Sequence, residues 1–356
     1  MHLADGRVSG EYVRYTGFKI AFIALSALGL AAALAAAVSI GAAGVPVIEV
    51  IKSVFGFDVS ARTGIIVWNI RMPQALAALI AGAGLSAAGC AMQSVLRNPL
   101  GSPFTLGISH AAAFGAAFSV MVLESGVMQS TGVGAVTISN PLTTTLSAFA
   151  WSMAAAGVII LVSRVRGATP EVMVLTGVAL GALFTAGTMF LQFFADDVQL
   201  AAMVFWTFGD AARASWGELG LLAAVTGIGS AYFIFRTWDY NAIDAGDETA
   251  KGLGVSVDRV RMAGMLAASL VTAVTVAFLG VIGFVGLVVP HICRRFIGGD
   301  YRFLMPASII TGGLLLVVSD TAARMMLAPH VLPVSVLTAF MGAPVFIYLI
   351  VRGGRK

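Results

Sequence analysis

Asp244-Ala-Gly-Asp-Glu-Thr-Ala-Lys-Gly-Leu-Gly254 is a polar island in a chain that is otherwise close to continuous hydrocarbon. It holds three acids (Asp244, Asp247, Glu248), one base (Lys251) and three glycines (Gly246, Gly252, Gly254). Asp247-Glu248-Thr249-Ala250-Lys251 predicts a short helix with acids at its start, ended by Gly252 or Gly254. Such a stretch is ordinarily a solvated connection between two helices. Its charges and turn residues also suit a surface gripped from the aqueous side, and the rest of the chain decides what could grip it.

The chain of 356 residues is 59% hydrophobic and 11% charged, with a mean hydropathy of +0.95. Soluble domains carry about 25% charged residues, so the fold class is an all-α polytopic membrane protein. The 21 bases only slightly outnumber the 17 acids. No basic run is interleaved with aromatics, so nucleic acid is not a partner. Cys90 and Cys293 lie in apolar or membrane-edge surroundings and suggest neither a disulfide frame nor a metal site. Glycines such as Gly82, Gly84 and Gly89 fit close packing between helices.

Working outward, ten apolar spans are expected. Phe18–Ile40 runs 23 residues with Lys19 snorkelling, about 34 Å at 1.5 Å per residue. It is too long, and its leader too acidic, for a signal peptide, so residues 1–17 read as a cytoplasmic N-terminal segment and the span as a retained first helix. Residues 41–70 form an outside loop with room for a short helix. Span two is Pro73–Val95, followed by the proline- and glycine-broken loop 97–103. Span three is Phe104–Leu123, then an outside loop at 126–141. Spans four and five are Leu142–Val162 and Val172–Phe194. Residues 198–216 read as an interfacial segment anchored by Trp206 and Trp216. Span six, Leu219–Phe235, enters the island, whose loop covers about 240–258. Span seven is Met262–Leu279, and span eight is the glycine-broken Gly280–Cys293. Spans nine and ten are Leu304–Met326 and Val334–Val351, and 352–356 is a basic cytoplasmic tail.

With ten spans both termini share one side. That side receives Arg7, Arg14, Lys19, Arg97, Arg164, Arg166, Arg236, Lys251, Arg259, Arg261, Arg294, Arg295, Arg302, Arg352, Arg355 and Lys356. Only Lys52, Arg62, Arg71, Arg213 and Arg324 remain on the other. Basic residues concentrate on the cytoplasmic side, so the termini and the island are expected there.

Chemistry inside the body is scarce. The four histidines have no metal-ligand spacing, and His291 at a helix end reads as structural. No Ser/His/Asp arrangement, P-loop or aspartate-rich motif suggests an intramembrane enzyme. An ion-coupled carrier places carboxylates in mid-membrane. The nearest candidate is Asp320, four residues before Arg324 and so on the same helical face; a transport role and a paired structural charge both stay open. Met92 and Gln93 are candidates for lining a pathway, with a packed core as the competing reading. Asp196, Asp197 and Asp210 near the outer mouth read as solvated. A body with so little chemistry must borrow free energy, and the island is where a nucleotide-hydrolysing partner could push.

Three stretches carry a family resemblance: Ile70-Arg-Met-Pro-Gln-Ala-Leu-Ala-Ala with Met92-Gln93 and Asn98-Pro-Leu-Gly; Gly246-Asp-Glu-Thr-Ala-Lys-Gly-Leu-Gly254; and Ile282-Gly-Phe-Val-Gly-Leu-Val-Val-Pro-His291 with Leu332-Pro333 and Gly342-Ala-Pro344. In this order they resemble the FecCD family, permease subunits of ABC importers for iron–siderophore complexes, haem and vitamin B12. The resemblance covers about Trp68 to Arg352. It implies the ten-helix type II ABC importer permease fold and alternating access at a homodimer axis. It also implies two cytoplasmic ATPase subunits, which bind the ATP and Mg, and a periplasmic or lipid-anchored binding protein. Location in the cell (inner, cytoplasmic) membrane follows. It makes Gly246, Asp247, Glu248, Thr249, Ala250, Lys251, Gly252, Leu253 and Gly254 the ATPase-coupling loop. Asn98, Pro99 and Leu100 match a cytoplasmic gate whose second segment is Thr169, Pro170 and Glu171, where the family has small hydroxyl residues. Arg71 and Arg324 match outward arginines that receive binding-protein carboxylates, and Gln74 stands where a second arginine is usual. The chain itself is expected to hold no metal or cofactor and to be a transport subunit rather than an enzyme, with iron–siderophore the leading cargo. The alternative is an ion-coupled secondary transporter.

Overall fold

The computed structural model describes residues 10–41, 44–125, 140–326 and 331–353, and among them there is no strand. The order is α1 (Gly10–Ser39), α2 (Val47–Val54), α3 (Ala61–Ile65), a π-helical stretch (Ile66–Arg71), α4 (Met72–Val95), α5 (Ile108–Val122), α6 (Pro141–Arg166), α7 (Pro170–Phe194), α8 (Asp197–Thr207), a 3₁₀ turn (Ala211–Arg213), α9 (Trp216–Phe235), α10 (Thr237–Asp244), α11 (Asp247–Gly252), α12 (Val257–Leu279), α13 (Val285–Ile297), α14 (Tyr301–Met326) and α15 (Val334–Gly353). Seven described helices are long and apolar enough to cross a membrane: α1, the continuous Ala61–Val95 run, α6, α7, α9, α12 and α14. The other three expected spans coincide with α5, α13 and α15, of which α5 and α13 are shorter, at 15 and 13 residues. The protein is an all-α, multi-pass membrane body.

The axis of that body is α4. Its apolar stretch is 83% buried, and α9, α12, α13 and α14 pack around it. Alanine and glycine make this possible by letting backbones touch. A Cβ on Gly89 would overlap the Gly286 carbonyl of α13, and one on Gly82 would overlap the Gly312 carbonyl of α14. By contrast, α1, α6, α7 and α9 bury less than a third of their apolar stretches and leave the rest to lipid or to another chain.

Three local features differ from the expected pattern for identifiable reasons. Residues 61–70, expected in an outside loop with room for a short helix, are helical and run with Arg71 straight into α4 through the π stretch. Pro73 lacks an N–H and crowds the carbonyl four residues before it, and widening the turns relieves both. Lys19 does not snorkel: it is 2% exposed, with Nζ 4.1 Å from the centre of the Tyr15 ring and 4.9 Å from that of Phe303. The first helix is already formed at Gly10, where the described residues start, so residues 10–17 of the segment expected to be a polar leader are helical.

The interfacial segment at 198–216 is α8 and the 3₁₀ turn. Asp196 caps α8 in a reciprocal box with Gln199, and the Asp210 carboxylate accepts from the Ala212 N–H at 2.8 Å. Asp196 and Asp210 are thus helix caps, and Asp197 is an exposed acid in the first turn of α8. Trp216 donates to the Trp68 carbonyl at 2.7 Å and Trp68 to that of Ser53 at 3.1 Å, which anchors the α2–α3 segment.

Candidate functional site

The island folds as two short helices, each moored at its own end. Gly246, with φ +118°, turns the chain into α11. Asp247 and Glu248 then sit in the first turn, where the helix dipole favours carboxylates, and Lys251 pairs with Glu248 at 2.9 Å. Gly254, not Gly252, is the terminator: at φ +85° it sends its own N–H to the Lys251 carbonyl and that of Val255 to Ala250, both at 2.9 Å. That is a Schellman closure, and its left-handed residue is why a glycine stands there. Leu253 is left 71% exposed, an apolar side chain on a polar loop.

At the α10 end, Asn241 accepts from the Tyr301 N–H at 2.9 Å and donates to Asp300 at 3.0 Å. Arg294 of α13 reaches Asp244 at 3.1 Å and the Tyr301 hydroxyl at 2.7 Å. The island is therefore pinned to α13 and α14 before α11 begins.

At the α11 end one side chain does the joining. Arg261, four residues into α12, is 1% exposed. Its Nη1 and Nη2 grip the two Asp247 carboxylate oxygens at 2.9 and 2.8 Å, the fork geometry that guanidinium favours. Its Nε donates to the Val95 carbonyl at 2.8 Å, and Nη1 also to the Ala168 carbonyl at 3.2 Å. Val95 ends α4, where carbonyls lack intrahelical partners, and Ala168 lies just before α7. Arg97 adds a looser contact with Asp247 at 3.8 Å. The Arg261 hydrogen bonds hold the Asp247 carboxyl below the usual carboxylate range, burial opposing them and Arg97 and Lys251 adding to them. A depressed carboxyl contributes its stability above the unfolded-chain pKa and loses it as pH falls through the lowered value, so the knot is intact at neutral pH.

The two expected gate segments lie on either side of this knot. Arg97, at φ +45°, turns out of α4; Asn98 then accepts from the Leu100 N–H at 2.9 Å in an Asx turn. Thr169 caps α7 by accepting from the Val172 N–H, Pro170 fills the first turn and Glu171 supplies its acid. Thr169-Pro170-Glu171 is thus the start of α7.

Met92 and Gln93 are enclosed within the chain. Met92 is 0% exposed, and Gln93 is 3% exposed and donates to the Leu287 carbonyl of α13 at 3.1 Å. A residue lining a pathway between two copies has to be exposed on one copy, so the packed-core reading describes both.

At the opposite end, Arg71 is 3% exposed and caps α1 through the carbonyls of Val38 and Ser39, at 3.0 and 2.9 Å. Arg324 pairs with Asp320 at 3.1 Å and reaches the Ala37 carbonyl. Gln74 donates to Asp320 at 3.0 Å, which gives the glutamine a partner where an arginine was expected. Asp320 is 3% exposed and sits between Gln74 and Arg324. Removing one member of a buried pair costs about 3–5 kcal/mol. Arg324→Met should lower unfolding stability in detergent by about that amount, and Arg324→Met with Asp320→Asn should recover most of it. Equal losses in the single and double variants would show that the pair contributes nothing.

Sequence reasoning placed the loop but missed Arg261, Arg294, Asn241 and Asp300, the residues that moor it. In the linear chain Arg261 and Arg294 read only as cytoplasmic bases. The arginine's position within the first turn and a half of an apolar helix was the available signal.

The described helices form a multi-pass membrane body with a polar loop moored at both ends. The chain belongs to the FecCD transport family, whose family model matches residues 29–352. It is 50% identical over 342 residues to a "Putative ABC transporter permease protein" of Methanocaldococcus jannaschii, covering 96% of this chain and 97% of that one. It is 33% identical over 320 residues to the Fe(3+)-citrate import system permease protein YfmE of Bacillus subtilis, covering 90% and 91% of the two chains. Among solved structures it resembles "An inward-facing conformation of a putative metal-chelate type ABC transporter", with a TM-score of 0.79, 26% identity, and 93% and 98% of the two chains covered.

Proposed function

We propose that this chain is the membrane-spanning permease of an ATP-driven importer for a metal chelate, iron–siderophore first, with haem and vitamin B12 next. Two copies form the pathway by alternating access at their two-fold axis. Two separate ATPase subunits bind ATP and Mg and grip the loop at about 240–258, with Gly246–Gly254 as the coupling element and Leu253 as an apolar contact. The membrane body spans 18–351, between a cytoplasmic N-terminal segment and a basic cytoplasmic tail at 352–356 in the inner membrane. Asn98–Leu100 and Thr169–Glu171 close the cytoplasmic side. A periplasmic or lipid-anchored protein delivers the cargo at the opposite end, near Arg71 and Arg324. Docking there requires the two arginines to exchange their present carbonyl and carboxylate partners for those of the delivery protein.

The observation that supports this reading is the mooring of α11: through Arg261 the polar loop is tied to the Val95 and Ala168 carbonyls, which lie next to the two segments assigned as gates. The test is uptake into vesicles containing the permease with its ATPase and delivery protein. Uptake of an iron chelate should require hydrolysable ATP inside the cytoplasm-side compartment and survive collapse of proton and sodium gradients. Uptake that persists without ATP and stops with the gradients would establish the secondary transporter instead.

Docking carries its own expectation. Arg71→Lys with Arg324→Lys, which keep both buried charges but lose the planar fork, should lower stimulation of ATP hydrolysis by the delivery protein while the assembled complex still hydrolyses ATP without it. Normal stimulation would remove both arginines from the docking surface.

A further inference from the structure

We infer that Arg261 is the positioning residue that makes α11 and both gate segments one mechanical unit, so that a displacement of the coupling loop reaches Asn98–Leu100 and Thr169–Glu171 through a single guanidinium. The inference rests on the proposed function and goes beyond it by naming the side chain that transmits the motion.

Three polypeptide segments distant in sequence converge on this group. Arg261 lies 166 residues from Val95, 93 from Ala168 and 14 from Asp247. Guanidinium has five N–H donors in a rigid plane, and four of them are engaged in these bonds. Moving Asp247 relative to either carbonyl must break a hydrogen bond of a side chain only 1% exposed to water. An unmet buried charged donor is costly, so the cheaper response is for Asp247, Val95 and Ala168 to move together. Val95 precedes the Asn98 turn and Ala168 precedes the α7 cap, so both carbonyls sit at the roots of the gates. The outer surface of α11, with Glu248, Thr249 and Leu253 exposed, stays free for a partner while Asp247 faces inward.

Lysine tests this, because an ammonium keeps the charge but lacks the planar fork. The reporter is Leu100→Cys, at a position 41% exposed, labelled with a membrane-impermeant maleimide; the native Cys90 and Cys293 are 0% exposed and stay silent. In the wild-type background of the full complex, labelling of Leu100→Cys should change between the nucleotide-free and ATP-bound states. In Arg261→Lys, chelate uptake per ATP hydrolysed should fall about tenfold, the middle of the usual range for coupling between sites, and labelling should no longer follow nucleotide. Hydrolysis itself should stay within about threefold of the wild type, less than the loss in uptake. Arg261→Gln, which removes the buried charge, carries the same expectation if the lysine variant does not assemble.

Uptake and hydrolysis falling in parallel, or gate labelling that still follows nucleotide, would overturn the role of Arg261. Absence of ATP-driven uptake in the wild-type complex would instead overturn the proposed function, so the two failures are distinguishable.

Discussion

Asp247→Arg together with Glu248→Arg should stop chelate uptake while leaving the helical body assembled. The first substitution replaces the one carboxylate that, among the described residues, is hydrogen-bonded to Arg261 with a like charge, beside Arg97 as well. Stranding a buried cation costs about 3–5 kcal/mol. The knot must therefore open, and α11 detaches from Val95 and Ala168. The second removes the acid that pairs with Lys251 and reverses the charge on the exposed face, where an ion pair alone contributes only about 0–1 kcal/mol. The functional loss should thus follow Asp247 far more than Glu248. Transport by the double variant should drop by at least about tenfold, with unchanged yield and elution of the purified permease. Full uptake would show that α11 does not couple anything.

Gly89→Leu should have the largest effect on folding. The added side chain would drive into the Gly286 carbonyl, backbone against backbone, where no rotamer change gives relief. Since α13 cannot separate from α4 without opening the core, the cost should exceed the about 1–3 kcal/mol typical of overpacking. The expected outcome is loss of monodisperse protein on extraction. Gly157→Leu on α6 is the matched control. Nothing lies within 4 Å of the added carbon, and leucine favours a helix over glycine by nearly 1 kcal/mol. If both variants behave alike, glycine packing is not what holds α4 in the centre.

These cases also show what the linear chain reveals. The acidic-start helix at Asp247 was legible because charge, helix period and terminating glycine fall within eleven residues and obey local rules. The long spans were legible because a bilayer demands uninterrupted apolar length. The break before α13 was legible from its glycines, and Phe284 at φ +67° shows how sharply the backbone turns there. Residues 61–70 were misread since Glu49, Lys52, Asp58 and Arg62 colour the whole region as loop, and a proline normally marks a helix start. Arg71 reads as an outward charge from sequence position alone. Only the fold shows that α1 ends beside it with carbonyls in need of donors. Arg261 offers a local signal in its place near the start of an apolar helix, but its partners are not legible: two of them are backbone carbonyls, which carry no residue signature.

The most direct test of the central claim is the accessibility of Leu253→Cys. The side chain is 71% exposed on α11's closing turn, and both native cysteines are buried. An impermeant maleimide should label it in inside-out vesicles stripped of ATPase, fail to label it in intact cells, and be blocked when the ATPase subunits are restored. Labelling from outside intact cells, or labelling indifferent to the ATPase, would contradict a permease driven through this loop from the cytoplasm.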